Sequence, residues 1–164
     1  MVDLMNLEDQ VDKDFALARR RARLGRLKAL LLRRATRNTL LSSDDIRRTV
    51  SASGGMHRGR RTLEVSRIVG SVGKHEQFDQ NFMPLSKASV EKWKRIDRAF
   101  RLGQELPAVS LLELGGEYFV NDGHHRVSVA RFHRVEWIEA EVTEYKSLDT
   151  RRPRTPPVDR RSTT

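Results

Sequence analysis

The segment 121–126, with the sequence Asn-Asp-Gly-His-His-Arg, is the part of the chain best equipped for chemistry. It follows an apolar stretch and opens a helical pattern. Gly123 permits a close approach to the backbone, and the first amides of the following helix attract an anion through the helix dipole. Arg126 adds a fork of donors that suits phosphate oxygens. The segment therefore predicts a phosphate site formed by Asp122, Gly123, His124, His125 and Arg126.

Two other interpretations of this segment stay open at the level of sequence. In the first, Asp122 caps the helix and the histidines only satisfy local backbone groups. In the second, His124 and His125 bind a metal ion, but adjacent helical residues point about 100° apart and make a poor pair of ligands. We expect a phosphate site and no metal.

The elements that must position this segment are indicated by the pattern on both sides of it. We expect a strand over 62–72, a loop over 73–79, a helix capped by Ser86 or Ser89 and ending near Leu102, a hairpin of strands 107–114 and 117–120, and a last strand over 137–145. This order predicts an α/β (α+β) fold: a small mixed sheet with helices, preceded by a basic helical N-terminal extension.

The helix that follows Ser89 has apolar residues at positions 90, 93, 96 and 100, which predict its buried stripe. The charged residues of this helix are interpreted as solvated surface: Glu91, Lys92, Lys94, Arg95, Asp97 and Arg98. Trp93 and Trp137 both lie on apolar faces, so we expect both in the core.

Residues 9–39 predict a long basic helix. Its apolar stripe is expected at Leu17, Leu24, Leu27 and Leu31, widened by Phe15 and Leu30. Nine cations and no acid occupy positions 19–37. Such a density of like charge repels itself unless an anion is near, which favours nucleic acid, with a solvated face or an acidic membrane surface as alternatives. The residues predicted to contact nucleic acid are Arg19, Arg20, Arg23, Arg26, Arg33 and Arg34.

The charge is distributed unevenly along the chain. Residues 1–61 carry fifteen basic and seven acidic side chains, residues 62–149 carry twelve and fourteen, and residues 150–164 carry five and one. A second short helix is expected to reach Val50, and the sequence Ser-Ala-Ser-Gly-Gly at 51–55 then breaks the chain. We therefore predict a basic helical extension (1–60), a folded domain (61–147) and a basic, proline-rich disordered tail (148–164). The domain and its basic ends are expected to do different jobs.

The composition excludes several classes of site. The chain has 164 residues and no cysteine, so disulfides, thiolate metal sites and cysteine nucleophiles are excluded. No apolar run approaches the roughly 18 residues of a membrane span. The acidic N-terminus is unlike a secretory signal, so a cytoplasmic location is expected. The formal net charge of +10 indicates a polyanionic partner.

The order of elements and the sequence Gly-His-His-Arg at 123–126 resemble the ParB/sulfiredoxin superfamily, over about residues 62–145. In that superfamily, ParB uses a Gly-Glu-Arg-Arg box and sulfiredoxin a Gly-Cys-His-Arg box to bind nucleotide phosphates. This chain lacks the cysteine of sulfiredoxin, and it is most similar to ParB-like proteins with an Asp-Gly-His-His-Arg box, which include a free-serine kinase. In such kinases a glutamate of the first loop is the base on the acceptor hydroxyl, a role that the resemblance assigns to Glu76.

We therefore interpret the chain as a ParB-like module that binds a nucleotide or another phosphate. It is expected to associate with DNA or RNA through its basic arms, by contacts to the phosphate backbone without sequence readout. The resemblance implies a nucleoside di- or triphosphate as ligand, together with Mg²⁺. Two enzymatic alternatives stay open: an ATP- or ADP-dependent small-molecule kinase with Glu76 as base, and a ParB-like nuclease. The oligomeric state also stays open.

Overall fold

The computed structural model describes residues 4–31, 43–52, 54–73 and 77–146. Its helices are α1 (Leu4–Leu31), α2 (Ser43–Ala52), α3 (Val90–Arg101) and α4 (His124–Phe132). Its strands are β1 (Met56–Glu64), β2 (Ile68–Ser71), β3 (Val109–Leu114), β4 (Glu117–Asp122) and β5 (Trp137–Tyr145). Single 3-10 turns at Val65–Arg67 and Lys87–Ser89 precede β2 and α3. The predicted fold class, a small mixed sheet with helices behind a helical N-terminal segment, is confirmed.

The five described strands form one sheet in the order β1-β5-β3-β4-β2. β3 and β4 are the predicted antiparallel hairpin, and both turn residues, Gly115 and Gly116, have positive φ, as a tight hairpin turn requires. β1 pairs with β5 antiparallel, whereas β5 pairs with β3 and β2 pairs with β4 in parallel. Because β2 and β4 are parallel, their carboxyl ends lie side by side at the same end of the sheet.

The single strand predicted over 62–72 is wrong, because this stretch contributes to two strands at opposite edges of the sheet. β1 ends at Glu64, a 3-10 turn follows, and β2 begins at Ile68. The amide of Val65 donates to Glu136 O at 2.9 Å, which ties the turn to the segment before β5. The break separates a half that pairs with β5 from a half that pairs with β4, so it depends on the strands that each half meets. β1 also begins at Met56, inside the stretch predicted as the extension.

Arg131 of α4 contacts the turn between β1 and β2. Its guanidinium donates to Val65 O and to Ile68 O, the carbonyls that flank the 3-10 turn, and it lies 5.0 Å from the centre of the Phe82 ring. Burial lowers the pKa of Arg131 below its ordinary value, and the negative charge of Asp79 opposes that shift. The start of β2 is therefore fixed against α4.

The apolar stripe predicted for α1 is wrong at Leu17, Leu24 and Leu27, whereas Phe15, which was predicted to widen the stripe, is buried. The side chains of Leu30 and Leu31 lie outside the described residues. Leu17, Leu24 and Leu27 are between 40% and 56% exposed, whereas the buried face is formed by Leu7, Val11, Phe15, Ala18 and Ala22. Phe15 and the two alanines pack in one cluster with Trp93 of α3 and Phe132 of α4. Small residues at 18 and 22 leave room for these large rings, so residue size alone does not identify the face that is buried.

The acidic half of α1 pairs with three cations of α3, and the sequence pattern predicts two of them, Lys94 and Arg98, as solvated surface. Arg98 donates to Glu8 at 2.5 Å, Lys94 pairs with Asp12 at 2.6 Å, and Arg101 pairs with Asp14. Asp97, predicted on the same solvated face, is fully buried. The solvated interpretation is therefore wrong for Lys94, Asp97 and Arg98.

The two tryptophans differ. Trp93 is fully buried, and its indole N–H donates to Ser128 Oγ at 2.9 Å, which confirms its prediction as a core residue. Trp137, the first residue of β5, is 51% exposed, so its prediction as core is wrong. A residue at a strand end has a neighbour on one side only, and the sequence pattern does not show where the sheet stops.

Candidate functional site

The predicted phosphate segment lies where β2 and β4 end. Ser71 is the last residue of β2, Asp122 is the last residue of β4, and α4 begins two residues later at His124. Ligands of sheets with parallel strands bind in the crevice beyond the carboxyl ends of those strands. The chain thus places the predicted segment at the edge of the sheet where a ligand is expected.

Gly123 starts α4 in the left-handed conformation, with a φ of 93°. A Cβ added here would lie 2.8 Å from Val109 Cγ1 and 3.0 Å from Arg126 Nη2. Packing against Val109, together with the positive φ, is therefore sufficient to require glycine. The N-cap also supplies no side-chain hydrogen bond to the first turn of α4. The amides of this turn keep the polarity that favours an anion.

His124 and His125 have different surroundings although they are adjacent. His124 is buried, its Nε2 lies 2.6 Å from Ser71 Oγ, and its ring stacks on Phe78 with centroids 6.1 Å apart. His125 is half-buried and meets Phe78 edge-on, with centroids 5.2 Å apart. His124 is thus positioned to orient Ser71, and His125 is the more accessible of the two.

Ser71 and Phe78 are site residues that sequence reasoning missed. Ser71 is the polar residue that ends a short apolar strand, which is a detectable signal. Nothing in the local pattern of Phe78 distinguishes it from a core aromatic, and its side chain is indeed buried. Its importance here comes from contact with both histidines.

Arg126 is engaged in contacts within the fold. Its Nη1 donates to the carbonyls of Pro107 and Ala108 at 2.6 and 2.8 Å, and its Nη2 donates to Asp122 Oδ2 at 3.0 Å. The guanidinium therefore fastens the segment before β3 to α4, and the Asp122 carboxylate faces Arg126. The predicted contact of Arg126 with phosphate stays a prediction.

The remaining predicted residues fall in two groups. Arg19, Arg20, Arg23 and Arg26 lie on α1, in its basic half. Glu76, the predicted base, and Arg33 and Arg34 lie outside the described residues.

A second polar cluster lies at the other end of α4. His133 Nε2 is 2.5 Å from Asp97 Oδ1 and 4.0 Å from Asp14 Oδ2, so one histidine and two carboxylates converge. Arg101 pairs with both carboxylates, and Asp14 and Asp97 raise the pKa of its guanidinium. Because Arg101 already supplies a positive charge here, we interpret this cluster as a structural ion network.

Comparisons with known proteins add little to this description. No protein-family model matches the chain, and no curated protein matches it. Among solved structures, sulfiredoxin from Arabidopsis thaliana is similar at a TM-score of 0.39 and 16% sequence identity, over 53% of this chain and 86% of that one. A TM-score this low does not assign the fold, so the fold class rests on the helices and strands described above. In the part of the chain that the structure describes, no helix is both long and apolar enough to cross a membrane.

Proposed function

We propose that this chain is a phosphate-binding module whose ligand is a nucleoside di- or triphosphate, bound at the N-terminus of α4 with Mg²⁺. We further propose that the module associates with nucleic acid through its basic segments. One observation supports the first part above all: α4 starts from a left-handed glycine, without a side-chain cap, at the carboxyl ends of the parallel strands β2 and β4.

The physical basis is the charge at the start of α4. A helix N-terminus carries roughly half a positive charge, and its first amides have no partner within the helix. Ser71 Oγ lies beside this turn, and the half-buried His125 belongs to it. Both are uncharged or weakly basic donors, which suits an anion that backbone amides hold.

The nucleotide part of the proposal follows from the resemblance of the segment 123–126 to nucleotide-binding boxes. The geometry supports the phosphate part only. The nucleic acid part rests on the excess of basic residues in 1–61 and on exposed arginines of α1, including Arg20, Arg23 and Arg26. Contacts of this kind go to backbone phosphates and are largely indifferent to base sequence.

Titration calorimetry with ATP, ADP and CTP, each with Mg²⁺, tests the site. We expect Ser71→Ala and His125→Ala each to weaken the binding of that nucleotide by about 1 kcal/mol, which is roughly fivefold in affinity and the value of one hydrogen bond. Ser66→Ala is the matched control, because Ser66 is an exposed serine of the 3-10 turn before β2. Wild-type affinity in both site variants, or no binding of any of the three nucleotides, would show the proposal to be wrong.

A further inference from the structure

We infer that one nucleic acid strand contacts both α1 and the N-terminus of α4, so that the basic helix and the phosphate site act on the same ligand. In this arrangement the strand backbone lies in a groove between α1 and the start of α3, and one of its phosphates reaches the first turn of α4. The inference rests on the proposed function and names the ligand that the phosphate site receives.

The groove has four cations on its walls. Arg19, Arg20 and Arg23 come from α1, and Lys87 comes from the 3-10 turn before α3. The groove encloses about 400 Å³, and its remaining lining is Phe15, Ala16 and Val90. The planar fork of an arginine donates to two oxygens of one phosphate at once, and three such forks in one concave surface favour a ligand with several phosphates.

These four cations are not compensated within the described part of the chain. There, the ion pairs of α1 are made by its acidic half: Glu8, Asp12 and Asp14 pair with cations of α3. No described carboxylate forms an ion pair with Arg19, Arg20, Arg23 or Lys87. Arg21 differs, since it donates to Phe132 O at 3.2 Å and lies over the Phe132 ring, where it has a structural role. The groove therefore concentrates positive charge that an external anion can neutralise.

A second cavity lies further along α1, near the phosphate site. Arg19, Arg23 and Arg26 are spaced by four and three residues, which places them on one face of the helix, over about 10 Å. Arg26 lines the next cavity, of about 270 Å³, together with Phe78 and Asp79. Phe78 in turn contacts both histidines of the phosphate site. Phe78 thus belongs both to the cavity that Arg26 lines and to the surroundings of the two histidines.

Asp79 is the acidic residue of this second cavity. Its Oδ1 accepts hydrogen bonds from the amides of Asn81 and Met83, at 2.9 and 2.7 Å. A Cβ at Gly25 would lie 3.3 Å from its Oδ2, so α1 touches this loop. Two amide donors stabilise this carboxylate, and Arg26 lines the same cavity with the opposite charge.

A nucleic acid strand fits this surface better than a membrane does. On a helical projection, the exposed leucines Leu17, Leu24 and Leu27 lie about 120° from the face of Arg19, Arg23 and Arg26. An interfacial helix inserts its apolar face with its cations at the boundary, whereas here the cations line a concave surface against the domain.

Fluorescence anisotropy with a labelled single strand of about 12 nucleotides tests the groove, a length within known single-strand site sizes. We expect the double variant Arg19→Gln/Arg23→Gln to bind about tenfold more weakly. Its log-log salt dependence should flatten by about 1.4, or 0.7 for each phosphate lost. Lys92→Gln/Arg95→Gln is the matched control, since it removes two exposed cations of α3 that do not line the groove, and we expect less than about a twofold change. Equal losses in the two double variants would overturn the inference.

Competition then distinguishes one shared ligand from two independent sites. In the wild type, saturating nucleotide should lower the affinity for the nucleic acid strand about tenfold, because both ligands need the same first turn of α4. In Ser71→Ala the nucleotide should lower this affinity by a smaller factor. If calorimetry shows that the nucleotide binds but the affinity for the strand is unchanged, the sites are independent and the inference is wrong. If no nucleotide binds, the proposed function is wrong. If Ser71→Ala still lowers the affinity for the nucleic acid strand in that case, the strand does contact the first turn of α4. Binding to vesicles of phosphatidylserine with no binding of the strand would assign the groove to membranes instead.

Discussion

The two ends of α4 each hold a histidine against a polar side chain, yet they are built differently. At the N-terminal end, His124 Nε2 lies 2.6 Å from the neutral Ser71 Oγ, next to a glycine cap. Just beyond the C-terminal end, His133 Nε2 lies 2.5 Å from the buried carboxylate of Asp97. Charges at the second end are compensated by Arg101, and the ring of Phe100 stacks on His133.

This difference separates a structural end from the end at which we propose that a ligand binds. The ion network joins α1, α3 and the residue after α4, so breaking it leaves charges without partners in a buried region. At the N-terminal end, His124 lies against the neutral hydroxyl of Ser71, and the helix dipole adds a partial positive charge to the first turn. We therefore expect substitutions at the first end to change ligand affinity, and substitutions at the second end to change stability.

The largest expected effect is that of Asp97→Asn. Asp97 is fully buried and faces both His133 and Arg101, so its loss removes the carboxylate partner of His133 and one of the two carboxylates that pair with Arg101. We expect the free energy of unfolding to fall by about 3 kcal/mol, as for other buried pairs that lose one member. Urea unfolding measures this change. Glu91→Gln, an exposed acid on the same helix, is the control and should cost less than about 0.5 kcal/mol. A loss no larger than that of the control would mean that the network contributes nothing.

The next effect is the difference in stability between alanine variants at two glycines, one of which is the cap of α4. Gly123 and Gly116 have similar φ values, 93° and 85°, but an added Cβ meets Val109 at Gly123 and nothing within 4 Å at Gly116. Alanine at either position carries the strain of a left-handed conformation, about 1 to 3 kcal/mol. Gly123→Ala should cost a further 1 to 3 kcal/mol, roughly the range for overpacking. Urea unfolding of both variants isolates the packing term, and equal losses would show that Val109 does not require glycine at position 123.

A pair of histidine variants compares the two ends directly. His133→Gln should lower the free energy of unfolding by about 2 kcal/mol, because it weakens a hydrogen bond to a charged group, and should leave nucleotide affinity unchanged. His124→Gln should lower stability by only about 1 kcal/mol, because its partner is a neutral hydroxyl, and should weaken nucleotide binding by releasing Ser71. Calorimetry and urea unfolding on both proteins provide the four values. If His133→Gln impairs nucleotide binding as much as His124→Gln does, the two ends of α4 do not have different roles.

The smallest expected effect is a pH dependence at the α1 contact. The hydrogen bond from Arg98 holds the pKa of Glu8 below its ordinary value of 4.5. A carboxylate whose folded pKa is lowered stabilises the protein above the unfolded pKa, and this contribution is lost as the pH falls through the folded pKa. The difference in melting temperature between the wild type and Glu8→Gln should therefore be present at neutral pH and vanish well below pH 4.5. A difference that persists unchanged in acid would exclude the ion pair as its cause.

Much of the local structure could be predicted because its signals are local. The glycine pair at 115 and 116 specifies a tight hairpin turn, and α3 ends at Arg101, one residue before the predicted end. The junction of β4 and α4 was found in the same way, since Gly123 follows an apolar strand and precedes a helical pattern. Each of these signals acts within a few residues.

The candidate site was predicted only in part, for the same reason. The segment 121–126 is contiguous and visible in the sequence, but Ser71 is 53 positions away from the histidine it contacts. The engagement of Arg126 with the carbonyls of Pro107 and Ala108 spans 18 to 19 positions and likewise has no local signal.

The sequence by itself determined the class of fold, the absence of cysteine chemistry, the concentration of cations in the first 61 residues and the position of the phosphate segment at a strand end. The tertiary structure decided which face of α1 is buried, the separation of β1 from β2 and the meeting of Phe78 with both histidines. The physical reason is that periodicity and turn chemistry act between neighbours, whereas packing depends on which surfaces the chain path brings together. On α1, two faces carry apolar residues, and only contact with Trp93 and Phe132 selects the alanine face for the core.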